Sequence, residues 1–117
     1  MQVEIGGSVY TLVTTARGPL WTAHALRAPS QDRYGLEVTA SSEIEAKDRL
    51  MRWLTWQYEH TAALEALQQA EKAFHRAVAG AAFASAEAQS AEARPARAAM
   101  DAARNALDDI RARRPNV

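Results

Sequence analysis

In residues 34–39, apolar and polar side chains alternate: Tyr34, Leu36 and Val38 fall on one side, Gly35, Glu37 and Thr39 on the other. A period of two predicts a strand with one covered and one wet face. Similar short runs rich in Val, Thr, Tyr, Leu and Trp precede it, separated by Gly6-Gly7, Gly18-Pro19 and Ala28-Pro29-Ser30, as strands are separated by turns. Strands are expected near Gln2–Ile5, Val9–Thr15, Leu20–Ala28 and Tyr34–Thr39, with Gly6-Gly7 supplying the positive φ angles of a tight hairpin. In the third of these, Trp21, Ala23 and Ala25 oppose Leu20, Thr22, His24 and Leu26, and both sets are apolar enough that either could face the core.

The period changes after Ser42-Glu43-Ile44-Glu45. Ser42 can cap a helix, Glu45 can reach back to complete a capping box, and the acids suit the positive end of the dipole. Glu43/Lys47, Glu45/Arg49 and Asp48/Arg52 then stand four apart on the outer face, while Leu50, Trp53, Leu54 and Gln57 mark the inner one. Helical spacing continues through Leu64, Leu67, Ala70, Phe74, Ala77 and Ala81. An unbroken helix from Ser42 to about Glu92 would be roughly 75 Å long at 1.5 Å per residue, and Gly80 is the alternative break point. A second helix is expected over about Ala96 to Arg113, within residues 95–114, with Pro95 in its first turn. It places Ala96, Met100, Ala103, Leu107 and Ile110 on a matching seam.

The expected fold is therefore α+β in one domain, residues 1–117: an N-terminal three- to four-stranded antiparallel β-meander packed on a long α-helix, then a C-terminal helix forming an antiparallel helical hairpin. Alanine buries little apolar area, so the hairpin alone should be weakly stable and calls for burial against a second copy.

Composition narrows the chemistry. The chain has no cysteine, which excludes a disulfide framework, a thiolate nucleophile and a cysteine-ligated zinc. Its 14 Lys and Arg match 14 Asp and Glu, and the halves on either side of His60 are closely balanced, unlike a polyanion-binding module. The amino terminus lacks a secretory pattern and the most apolar stretch, Ala77 to Ala86, is too short to span a bilayer, so a cytoplasmic address with no membrane partner is expected. The alanine and arginine bias reflects a GC-rich bacterial or phage genome.

No glycine-rich phosphate loop, serine nucleophile elbow or His-Glu-x-x-His helix is present, and no catalytic residue, metal ligand or cofactor site is assigned. Glu71 and His75 share a helical face with no third ligand beside them. Trp21, Trp53 and Trp56 could wall a ligand pocket with His24 or His60 at its rim, but core packing is the simpler reading. Arg111, Arg113 and Arg114 suit the dipole of a helix C-terminus.

The expectation is a non-catalytic interaction, accessory or inhibitor protein, homodimeric or docked to a protein partner through helical surfaces. Tyr58, Phe74, Leu107 and Ile110 are the contact candidates. The alternative, a nucleic-acid module, is disfavoured by the charge balance and would need Arg17, Arg27 and Arg33 together on the open sheet face.

Overall fold

The computed structural model describes residues 1–81 and 86–116. Four strands, β1 (Gln2–Ile5), β2 (Ser8–Arg17), β3 (Leu20–Arg27) and β4 (Asp32–Ala40), precede two helices, α1 (Glu43–Ala81) and α2 (Ala86–Ala112). The strands form one antiparallel sheet in the order β1-β2-β3-β4. Contacts gather into two compact units: a sheet unit, Met1–Tyr58 with Arg114–Val117, and a hairpin unit, Glu59–Arg113.

The sheet begins with the tight hairpin that the two glycines predict. Ile5 pairs with Ser8, and Gly6 and Gly7 take φ of 59° and 80°, values that side chains avoid. Alternation then assigns the faces. Tyr10 and Leu12 of β2, Ala23 and Ala25 of β3, and Val38 and Ala40 of β4 are buried with Ala46, Leu50, Trp53 and Leu54 of α1. This settles β3: Trp21, Ala23 and Ala25 face the helix, while Leu20, Thr22, His24 and Leu26 lie on the open face. Alanine at three inward sheet positions leaves depth for the larger Leu50 and Trp53.

The β3–β4 ladder slips once. Ala23 pairs with Val38 but Ala25 pairs with Tyr34, so Gly35, Leu36 and Glu37 all stand opposite His24. Gly35 takes φ of 78°, and the six-membered ring of Trp53 rests on it so closely that a Cβ there would overlap the ring. The bulge is what admits the tryptophan.

Helix α1 starts as its capping signal predicts, with one difference. Glu45 N–H donates to Ser42 Oγ at 3.1 Å, and Ala46 N–H to the Ser42 carbonyl at 3.0 Å. Glu45 reaches back past Ser42: its carboxylate accepts from Ser41 Oγ at 2.7 Å and from Arg49 at 2.6 Å. Glu43/Lys47 and Asp48/Arg52 also pair, at 3.1 and 2.6 Å.

In the hairpin unit the expected boundaries move. α1 is helical as far as Ala81, one residue past Gly80, and the expected break near Gly80 or continuation to Glu92 falls on residues outside those described. The second helix does not begin near Pro95: α2 is helical from Ala86 and carries Pro95 inside it, at the cost of a donor for the Ala91 carbonyl. Strong helix formers on both sides of Pro95 outweigh the proline.

Arg111 donates to His60 at 3.4 Å and Arg113 lies 4.0 Å from Glu59, which sets an antiparallel register. With equal rise from that contact, Ala63 comes within a residue of level with Leu107, Leu67 with Ala103, Ala70 with Met100 and Phe74 with Ala96. Each level pairs a small side chain with a large one, and the large one changes helix from level to level. In the part of α1 that belongs to the hairpin unit, Ala63 rather than Leu64 takes the buried place, and Leu107 is its counterpart at 2 % exposure. Ala81, the last expected seam position, lies outside the described side chains.

Candidate functional site

An open cavity of about 310 Å3 in the hairpin unit is lined by Phe74 and Val78 of α1 and Ala93, Arg94 and Arg97 of α2. Helical spacing builds it. Phe74 and Val78 are four apart, as are Ala93 and Arg97, so each pair stacks on one side of its helix. Phe74 is half-buried, its ring 6.1 Å from that of His75, and Val78 is 47 % exposed. Arg94 and Arg97 are exposed, and among the described residues no carboxylate pairs with either. The cavity thus offers an apolar floor with two guanidinium groups at its rim that no described carboxylate pairs.

A second cavity, of about 410 Å3, lies in the sheet unit between Glu45, Asp48, Arg49, Arg52, Pro115 and Asn116. Its charges are already matched by the Glu45–Arg49 and Asp48–Arg52 pairs. Arg114 places its guanidinium 5.5 Å from the Trp56 ring centroid, and Trp56 is half-buried against the core. The terminal arginines therefore take three different partners: His60, Glu59 and Trp56.

The other anticipated residues separate. Leu107 is inside the hairpin rather than on a partner surface, and Ile110 is half-buried on the same seam. Tyr58 is 50 % exposed, but its ring lies directly on Gly6, so part of it serves the β1–β2 turn. Trp21 and Trp53 face the α1 side of the sheet and His24 the opposite side, so His24 cannot stand at the rim of a tryptophan pocket. His60 is engaged by Arg111. Trp53 Nε1 is buried with no hydrogen-bond partner among the described residues, so packing holds that ring. Among the described residues there is no group of three or more His, Cys, Asp or Glu able to hold a metal ion, and no helix long and apolar enough to cross a membrane.

The three arginines of the nucleic-acid reading do not converge. Arg27 belongs to the α1 side, where it lies 5.1 Å from the Tyr34 ring centroid and donates to Ser8 Oγ at 3.1 Å. Arg33 is on the open face, ion-paired with Glu37. Arg17 is level with Leu20 at the far end of that face, whereas Arg33 is level with Leu26 and Thr11. The six residue steps from Thr11 to Arg17 separate the two arginines by about 20 Å along the strands.

Two carboxyl groups at the start of α1 are held below their ordinary value of 4.5. Hydrogen bonds from Lys47 and Thr14 act on Glu43, and a hydrogen bond from Ser41 with the charge of Arg49 acts on Glu45. Such groups stabilise the fold above the unfolded pKa, and the contribution is lost as pH falls from about 4.5 through the folded value. Glu45→Gln is accordingly expected to flatten the acid limb of a stability profile from urea denaturation, only slightly because the carboxyl is open to solvent screening. An unchanged acid limb would mean that solvent screens the Arg49 pair completely.

Comparison with known proteins adds no relative: no protein-family model, curated protein or solved structure matches this chain. The residues that sequence reasoning missed are Val78, Arg94 and Arg97. The boundary drawn at Pro95 left Arg94 outside any helix, which hid its i,i+3 relation to Arg97.

Proposed function

We propose that the protein is a cytoplasmic, non-catalytic interaction module whose hairpin docks a protein partner at the Phe74–Val78–Arg94–Arg97 cavity. The observation that carries this reading is the combination of an exposed apolar floor with two arginines that no described carboxylate neutralises. Aromatic and arginine side chains around a small depression are the residue types that dominate binding energy at protein interfaces. The complementary surface is an apolar side chain flanked by carboxylates, as on an acidic amphipathic segment. Leu107 and Ile110 serve the hairpin's own seam, so contact is assigned to its flank. The dispersal of Arg17, Arg27 and Arg33 gives the nucleic-acid alternative no footprint.

The test is a photo-crosslinking amino acid at position 78, activated in the cells that make the protein naturally. A discrete adduct with another protein is expected, and Arg94→Glu/Arg97→Glu should abolish it. No adduct, or an adduct indifferent to the charge reversal, would refute the assignment.

A further inference from the structure

The hole at the centre of the hairpin cavity is framed by two i,i+4 pairs on antiparallel helices, Phe74 with Val78 and Ala93 with Arg97. Each pair spans about 6 Å along its axis at 1.5 Å per residue, so the hole is about one helical turn long. Charge around it is ordered along the groove. Arg94 and Arg97 stand at the hole itself. One turn further along α2, Asp101 follows Arg97 by four, and the register that sets Ala70 level with Met100 brings Glu71 of α1 to the same height within a residue. Asp101 is exposed and Glu71 half-buried, and among the described residues no base pairs with either. The rim is therefore basic at the hole and acidic one turn away.

The backbone of the hairpin limits what kind of segment can lie here. Helical N–H and C=O groups are bonded within their own helix, so this surface offers no main-chain partner to an extended strand, which docks through such bonds. A helix arrives with its own backbone satisfied and needs only side-chain contacts. Its side chains at i and i+4 repeat at the same roughly 6 Å as the corners of the hole. On α1, Leu64, Glu71 and Val78 recur every seven residues, which keeps them on one stripe about 21 Å long, the length of four turns.

We infer that the occupant of the cavity is a single helix of another protein, carrying an acid, an aliphatic side chain and a base in a set order. The aliphatic side chain sits between Phe74 and Val78, the acid meets Arg94 and Arg97, and the base lies one turn away against Glu71 and Asp101. Acid and base on this helix are thus about four residues apart. At that spacing, with the acid first, they also support the free helix, so less ordering is lost on docking. Charge complementarity of both signs sets this occupant apart from a segment that is acidic throughout, because Glu71 and Asp101 would repel the latter.

This inference rests on the cavity being a protein-docking site, and the crosslink at position 78 separates the two. Absence of any adduct counts against the docking site itself. From an adduct, the joined stretch of the partner is identified by mass spectrometry, made as a synthetic peptide and titrated with the full-length protein. Far-UV circular dichroism is expected to show the peptide gaining helix on binding, and proline at its centre should abolish binding. Asp101→Lys is expected to weaken binding about two- to five-fold, with recovery when the peptide's base is replaced by an acid. A partner acidic throughout would instead bind this variant more tightly. Binding without a gain of helix, indifference to the proline, tighter binding by Asp101→Lys, or an adduct formed with a second copy of this chain would each overturn the inference. Asp101 is exposed on α2, so the substitution leaves the packed seam intact, and an unchanged circular dichroism spectrum of the variant verifies this.

Discussion

Leu50→Ala is expected to destabilise the sheet unit by about 3–5 kcal/mol, the range for removing a fully buried leucine whose surroundings relax only partly. Leu50 is 0 % exposed, at the centre of the face that α1 lays on β2, β3 and β4. Its neighbours Ala23, Ala25, Ala40 and Ala46 have no side-chain length with which to fill the space it leaves. Trp21, Trp53 and Trp56, the only tryptophans, all belong to the sheet unit, so their emission follows its unfolding in urea. A whole domain is stable by only about 5–15 kcal/mol, so the variant should lose a large share of its resistance to urea. A loss below about 1 kcal/mol would place Leu50 at a site able to collapse, contrary to an alanine-lined core.

The sheet was legible because its signals are local. Gly6-Gly7 can hardly be read except as a tight turn, the alternation of Tyr34, Leu36 and Val38 names a covered face, and Ser42 with Glu45 marks a helix start. What was not legible depends on residues distant in sequence. The face of β3 is decided by Leu50 and Trp53, so two nearly equivalent apolar sets could not be ranked in advance. The slip opposite His24 was hidden because Gly35 keeps the parity of β4 while changing its register.

Helix limits failed differently. Proline suits the first turn of a helix, which is the place Pro95 suggests in sequence, but alanine, glutamate and glutamine upstream carry α2 back to Ala86. That error concealed the candidate site, since Arg94 and Arg97 join Phe74 and Val78 only when both helices pass that level. The alanine-rich seam was visible as a period but not as a packing scheme. Its small-to-large complementarity, Ala63 with Leu107 and Leu67 with Ala103, appears only once the His60–Arg111 contact sets the register. Leu107 is legible in sequence as a seam position and a contact candidate, and the register adds its depth, 2 % exposure.

Gly35→Ala should be far more damaging than Gly7→Ala, which is its internal control. Both glycines have nearly the same backbone, φ of 78° and 80°. A left-handed conformation costs an L-residue roughly 1–2 kcal/mol, so that part is common to the two variants. They differ in what the new methyl meets. At Gly7 nothing lies within 4 Å, whereas at Gly35 the methyl would enter the Trp53 ring. Trp53 is 7 % exposed, packed with Leu50 and Leu54, and cannot swing clear without opening the core. Overpacking of this kind costs about 1–3 kcal/mol, which is the expected excess of Gly35→Ala over Gly7→Ala in urea denaturation followed by tryptophan emission. Equal losses would mean that the ring does not rest on Gly35. A clear excess would identify the β4 bulge as a seat for Trp53, because a residue with any side chain at position 35 would close the space the ring occupies.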